Sequence, residues 1–385
     1  MQKSTTALET PLRDELDGLA AFEPTEWPVI SLYLNLRPDE QGQRTSHAAF
    51  LRKVLPARIR TLKGEARKSV ERDTERIQTY LDQEVRTSAG SVAIFACSAQ
   101  HGFFQAVQLD VAPDDHWLFV GSVPHLYPLA RLNDQYPRYA ALQLDTNMAR
   151  VFVFGLGSTE ARRRIANVKT RKSSFGGWSQ ARYQRHAENY HLHHVKEVVW
   201  VLDDVVRKER IGQIMVACDA VARPLLMEQL PKHLAEKIVD VVNLDAHAPE
   251  HEVLAATFEA LRQRDADSDV EKVEAMMNAW AAGGLGVVGP EATLDALVKG
   301  QVEELLITAM PERLQRAQTL PPGTSPGPVD VDTTAPNAAM DPELLKLADE
   351  LVTRAQQTSS RIRFIEDAEL LADVGGVGAL LRFRI

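Results

Sequence analysis

Residues 171–210 read RKSSFGGWSQARYQRHAENYHLHHVKEVVWVLDDVVRKER, and the spacing of their apolar side chains decides the fold of the middle of the chain. Leu192, Val195, Val198, Val199, Leu202, Val205 and Val206 recur at the i, i+3, i+4, i+7 intervals of an amphipathic helix packed on a sheet. Upstream of Leu192 the stripe fades, yet residues 180–191 contain no Pro or Gly, so the helix is expected to run back to Gln180. A helix whose first turns bury little is expected to project beyond its domain. Gly176 and Gly177 then form a loop tip, where glycine serves positive φ or close backbone approach, and Ser179 is placed to cap the helix. Trp178 at such a tip either folds back onto the domain or stacks on a base in a working complex.

Outward from this helix the pattern is one of alternation. AALQLDT (140–146) and ARVFVFGLG (149–157) are strands around a turn at Asn147, and RRIANV (163–168) is a third. After the helix come strand QIMVACD (213–219), helix VARPLLMEQL (221–230), strand KIVDVVNL (237–244) and a helix over 251–280. Strands alternating with helices call for an α/β layer with parallel strands. Towards the N-terminus, VISLYLNL (29–36) alternates like a half-buried strand. A surface helix is expected over 57–85, with Pro56 at its start or at a kink, followed by strands SVAIFACS (91–98) and GFFQAVQL (102–109). Two prolines and Asn133-Asp134 put a boundary near residue 135. Beyond Gly283, Gly284 and Gly286 the chain reads helix PEATLDALVKG (290–300), strand VEELLITA (302–309), helix 342–357, strand RIRFIE (361–366) and strand GALLRFRI (378–385). Residues 319–340 are rich in Pro, Gly and Thr and are expected to be disordered. The expected fold class is α/β in three domains. These are an α+β domain at 1–134 to which the sequence assigns no role, a central domain at 135–282, and a small α/β domain at 283–385 carrying the disordered insertion 319–340.

At 385 residues the chain exceeds one ordinary core, and 44% hydrophobic with 25% charged residues is a globular composition. No apolar run reaches the roughly 18 residues of a membrane helix, and the polar, acidic start MQKSTTALETPLRDELDG has no apolar segment of a secretory signal. Cys97 and Cys218 sit in strand-like runs and read as buried thiols of a reducing compartment, so the cytoplasm is the expected location. Net charge is −9, but residues 162–196 hold nine Lys/Arg and one acid, leaving +8 there and −17 elsewhere. Four histidines (His186, His191, His193, His194) would add partial charge near pH 6 to 7. Such a block is either a solvated face compensated by the fold or the footprint of a phosphate backbone.

Other motifs exclude chemistry. Walker, HExxH and CxxC patterns are missing from the sequence, and Gly155-Leu156-Gly157 reads as a hairpin turn rather than a dinucleotide loop. Asp265, Asp267 and Asp269 lack the Gly and closing Glu of a calcium loop, since Val270 and Met276 stand there. His191 and His194 share a helix face, but no Glu or Cys completes a zinc set, so neither metal nor cofactor is expected.

GGWSQARYQRHAENYHLHHVKEV (176–198) resembles the glycine-rich loop and following helix of the archaeo-eukaryotic peptide chain release factor and Pelota superfamily, and more closely its bacterial branch. GLGVVGPEATLDALVKGQVEELLITA (284–309) resembles that family's entry into its last domain, and GVGALLRF (376–383) its closing strand. The resemblance spans roughly 136–385. It implies an RNase H-like central domain and a last domain like the kink-turn-binding ribosomal proteins. It also implies an arm that enters the peptidyl-transferase centre of the ribosome, and a translational GTPase as a delivery partner. In the family a glutamine directly follows the glycine pair; here Trp178 does, and Gln180 lies two residues on. Gly176, Gly177 and Gln180 are thus the candidate catalytic set. Arg171, Lys172, Trp178, Ser179, Arg182, Arg185 and His186 are the candidate contacts to rRNA and to the CCA end of tRNA. Hydrolysis or cleavage of peptidyl-tRNA on stalled ribosomes, non-enzymatic protection of idle ribosomes (hibernation), and a non-ribosomal RNA-binding stress role all remain open at this point.

Overall fold

The computed structural model describes residues 12–38, 46–113, 115–145, 148–156, 158–166, 180–218, 222–245, 247–315, 329–331 and 341–384. Contacts divide the chain into two units, Met1–Gln135 with Asp269–Ile385, and Tyr136–Ser268.

The first part of unit one runs α1 (Leu12–Ala20), β1 (Val29–Asn35), α2 (Ser46–Thr61), α3 (Gly64–Gln83), β2 (Ser91–Cys97), β3 (Phe103–Leu109), β4 (Trp117–Gly121) and α4 (Tyr127–Gln135). The single helix expected over 57–85 is two, because Lys63 is extended and Gly64 takes φ +59 between them. Pro56 lies inside α2. β1 is buried on both faces rather than half-buried. Ile30, Leu32 and Leu34 pack against Phe50, Leu55, Val70 and Ile77 of α2 and α3. On the opposite face Tyr33 meets Phe95 and Phe119 edge-on, and its hydroxyl donates to the His125 carbonyl.

Unit two holds β5 (Tyr139–Leu144), β6 (Met148–Gly155), β7 (Ser158–Ala166), α5 (Gln180–Lys208), β8 (Ile214–Cys218), α6 (Ala222–Gln229), α7 (Lys232–Ala235), β9 (Ile238–Val242) and α8 (Glu250–Ala281), whose last turns belong to unit one. The sheet order is β7-β6-β5-β8-β9. β5, β6 and β7 form an antiparallel meander, whereas β8 and β9 add in parallel through helical crossovers. Counted along the chain, that order is third, second, first, fourth, fifth, with the second strand reversed, which is the RNase H-like order. Val195, Val198, Leu202 and Val206 of α5 pack on Leu142, Val151, Val153 and Val216 at one face. Val253 and Leu261 of α8 pack on Tyr139, Phe152 and Phe154 at the other. Each fully buried aliphatic here contributes about 1.5–3 kcal/mol.

The rest of unit one is β10 (Gly286–Val288), α9 (Pro290–Val298), β11 (Val302–Thr308), β12 (Val329–Val331), α10 (Pro342–Gln357), β13 (Arg361–Ile365) and β14 (Val377–Leu381). β10, β14, β11 and β13 form a four-stranded sheet in that order. Gly378 and Gly286 lie so close to Met276 that a Cβ on Gly378 would meet its sulfur at 2.3 Å. The insertion 319–340 is not wholly irregular. Val329–Val331 pairs with β4 and extends that sheet to five strands, because its alternating Val-Asp-Val supplies β-compatible residues to an otherwise open edge. The remaining insertion residues lie outside the described set.

Candidate nucleic-acid interface

The root of the arm is built by the β5–β6–β7 meander and by α5. Arg138, just ahead of β5, bonds Glu160 of β7 and the Glu209 carboxylate beyond α5 (2.7 Å), so one guanidinium fixes the strand, the helix end and the sheet to one another. Asp204 accepts from Lys208 at 2.8 Å and from Arg207 at 3.4 Å in the last turns of α5. The cations there complement the helix C-terminus.

Along α5 the described side chains form a buried and an exposed face, with His191, Leu192, Val201, Asp203 and Asp204 half-buried between them. Val195, Val198, Val199, Leu202, Val205 and Val206 are buried, whereas His193, Lys196, Glu197 and Trp200 are exposed. Trp200 is 70% exposed. The helix begins at Gln180, as its sequence pattern anticipated. Gln180 lies fourteen positions before the buried His194, a rise of about 21 Å at the α-helical pitch. Arg182, Arg185 and His186 belong to the first turns of this helix; their side chains, and that of Gln180, lie outside the described set. Arg171, Lys172, Gly176, Gly177, Trp178 and Ser179 also lie outside the described residues.

One member of the histidine group leaves the basic set. His194 is buried to 1% exposure. Burial lowers its pKa from 6.5, against the smaller opposing effects of a backbone hydrogen bond with Met148 and the charges of Asp145 and Glu197. It therefore belongs to the core stripe rather than the cationic face, a position readable from its place four residues before Val198 and eight before Leu202. Among the described residues no group of three or more His, Cys, Asp or Glu could hold a metal. The three aspartates at 265, 267 and 269 fall within helix α8.

Sequence reasoning missed Arg138 as the fastening of the arm's root. Its signal was faint: a lone arginine before a strand, whose partners lie 22 and 71 positions away.

Residues 124–262 match the family model for bacterial archaeo-eukaryotic release factor family 10. That match begins just before α4 and runs through the meander, the arm and α5 into α8. No curated protein matches the chain. Solved structures similar to it include an archaeal translation termination factor, aRF1, at 15% identity over 97% of each chain with a TM-score of 0.27. Another is Saccharomyces cerevisiae Dom34, a termination-like factor described as interacting with Hbs1, at 11% identity over 77% of this chain and 79% of that one, TM-score 0.38. A third is archaeal Pelota in a ribosome-bound model with ABCE1, at 14% identity over 97% and 94%, TM-score 0.40. The likeness itself rests on the family model. Residues 124–262 are thus similar to the bacterial archaeo-eukaryotic release factors of family 10.

Proposed function

We propose that this release-factor-like chain is a ribosome A-site factor that carries a glycine-tipped arm to the CCA end of tRNA on stalled or idle ribosomes. The observation that carries the reading is the family match over 124–262, which contains the whole basic arm. The charge distribution supports it: +8 over residues 162–196 in a chain of net −9 asks for a polyanionic partner. In this reading Gly176 and Gly177 shape the tip, and Ser179 caps the helix that begins at Gln180. Trp178 and Gln180 meet the CCA end, and Arg171, Lys172, Arg182, Arg185 and His186 contact rRNA phosphates. A translational GTPase delivers the factor in the cytoplasm, and segments 1–134, 135–282 and 283–385 act as its three domains.

An amide takes no proton near neutral pH and an indole has no acceptor, so any hydrolysis or cleavage of peptidyl-tRNA proceeds by positioning water or a ribose hydroxyl. The Trp at position 178, where the resembling family has its glutamine, favours a second reading in which the arm occupies and protects the site without chemistry.

Cosedimentation with ribosomes at about 50 and 200 mM salt tests docking, which weakens steeply if phosphate contacts dominate. A peptidyl-tRNA complex treated with wild type, Trp178→Ala and Gln180→Ala tests the chemistry. An intact ester and CCA end with bound wild type leaves the protective reading, and cleavage by Gln180→Ala at the wild-type rate removes Gln180 from the catalytic set. Binding to free RNA without ribosomal docking would move the chain to the stress-protein role.

A further inference from the structure

The edge strand of the unit-two sheet carries a second run of cationic positions, set apart in sequence from the arm tip. β7 is an edge strand, with β6 as its sole neighbour among the described residues. The register sets Arg162 opposite Phe152, Arg163 opposite Val151 and Arg164 opposite Arg150. One strand further in, Ala141, Leu142 and Gln143 pair with Phe152, Val151 and Arg150. Three rows of sheet thus hold four arginine positions and no carboxylate.

Like charges at directly opposed positions, as at Arg150 and Arg164, destabilise an antiparallel pair. Near the start of the same strand Glu160 is ion-paired with Arg138. β7 thus carries Glu160 near its start and Arg162, Arg163 and Arg164 towards the end that leads, in sequence, into residues 167–179. By register Arg162 and Arg164 share the face of Phe152 and Arg150, and Arg163 the face of Val151, so cationic positions occupy both sides of the edge. Arg150 is held on its face by the Ala248 carbonyl and lies 5.5 Å over the Phe152 ring.

We propose that Arg162, Arg163 and Arg164, with Arg150, form a phosphate-binding edge that grips an RNA backbone alongside the arm. The proposal rests on the ribosome reading above and names further contacts for it. RNA is favoured over an acidic protein because all four positions are arginine, whose planar fork matches phosphate geometry, and because the strand runs on into the cationic arm. The competing explanation is that charges on an edge strand merely block edge-to-edge aggregation.

The test uses the full chain and purified ribosomes, with binding measured across a salt series for wild type and two triple variants. These are Arg162→Gln/Arg163→Gln/Arg164→Gln and Arg162→Lys/Arg163→Lys/Arg164→Lys. The glutamine triple is expected to lower the slope of log affinity against log salt by about 2 to 3, given roughly 0.7–0.9 per phosphate contact, and the lysine triple to restore most of it. A glutamine triple with the wild-type slope overturns this inference and leaves the ribosome reading standing, the more clearly if that variant aggregates. A wild type that fails to bind ribosomes even at low salt overturns both. Should the glutamine triple lose its far-ultraviolet circular dichroism, the single Arg163→Gln decides: a slope reduced by roughly one contact supports the edge, and an unchanged slope ends it.

Discussion

His194 shows how burial edits a charge pattern. In sequence it is one of four histidines in a cationic stretch; in the fold it is a neutral core residue at 1% exposure. Its pKa is lowered by burial, so the unfolded chain takes up the proton first as pH falls. The stability it supports is therefore present above its ordinary value of 6.5 and is lost as pH drops through 6.5 towards the lower folded value. Urea midpoints measured from pH 7.5 down to 5.5 are expected to fall more steeply for wild type than for His194→Gln. Parallel curves for the two proteins would show that His194 does not titrate differently on folding. The candidate RNA contacts at this scale were legible only as residue types in a row, because what a phosphate needs from Arg182 or Arg185 is a position that no neighbour in sequence reports.

At the scale of elements, α5 and α8 were legible nearly to the residue. A sustained apolar stripe specifies α5 by periodicity, whereas 251–280 was expected as a helix from the alternation of strands and helices, and Glu250–Ala281 is found. Short-range breaks were less legible. The gap between α2 and α3 depends on the positive φ of Gly64, and β12 depends on an open β4 edge that only the assembled sheet provides. Arg363 of β13 is a third case. Its Nε donates to Asp269 at 2.6 Å, where α8 enters unit one, and its Nη1 lies 3.9 Å from Asp134, where α4 leaves that unit. Asp134 also accepts from the Phe364 backbone at 2.8 Å. One guanidinium thus ties β13, α4 and the end of α8 together within unit one. Asp269 is buried to 6% exposure, so Arg363→Met takes a charge partner from a buried carboxylate and is expected to cost about 3–5 kcal/mol in urea unfolding. Arg363→Met with Asp269→Leu is expected to recover most of it. A loss below about 1 kcal/mol in the single variant would mean water already reaches the pair.

For the whole molecule, sheet order and charge asymmetry point in one direction. The RNase H-like order of unit two was implied by the family resemblance and not by periodicity, which gives strands but not their neighbours. The long-range fastenings, Arg138 and Arg363, had no sequence signal beyond their residue type. What the chain as a whole is proposed to do is hold an anionic body outside while its cationic arm enters RNA. Directed hydroxyl-radical probing from a Trp178→Cys protein tests this most directly, because both native thiols, Cys97 and Cys218, are buried and leave position 178 as the labelling site. With the labelled protein bound to ribosomes carrying P-site tRNA, the account predicts strand scission at the tRNA CCA end and in the surrounding peptidyl-transferase rRNA. Scission confined to other rRNA regions, with binding intact, would contradict it.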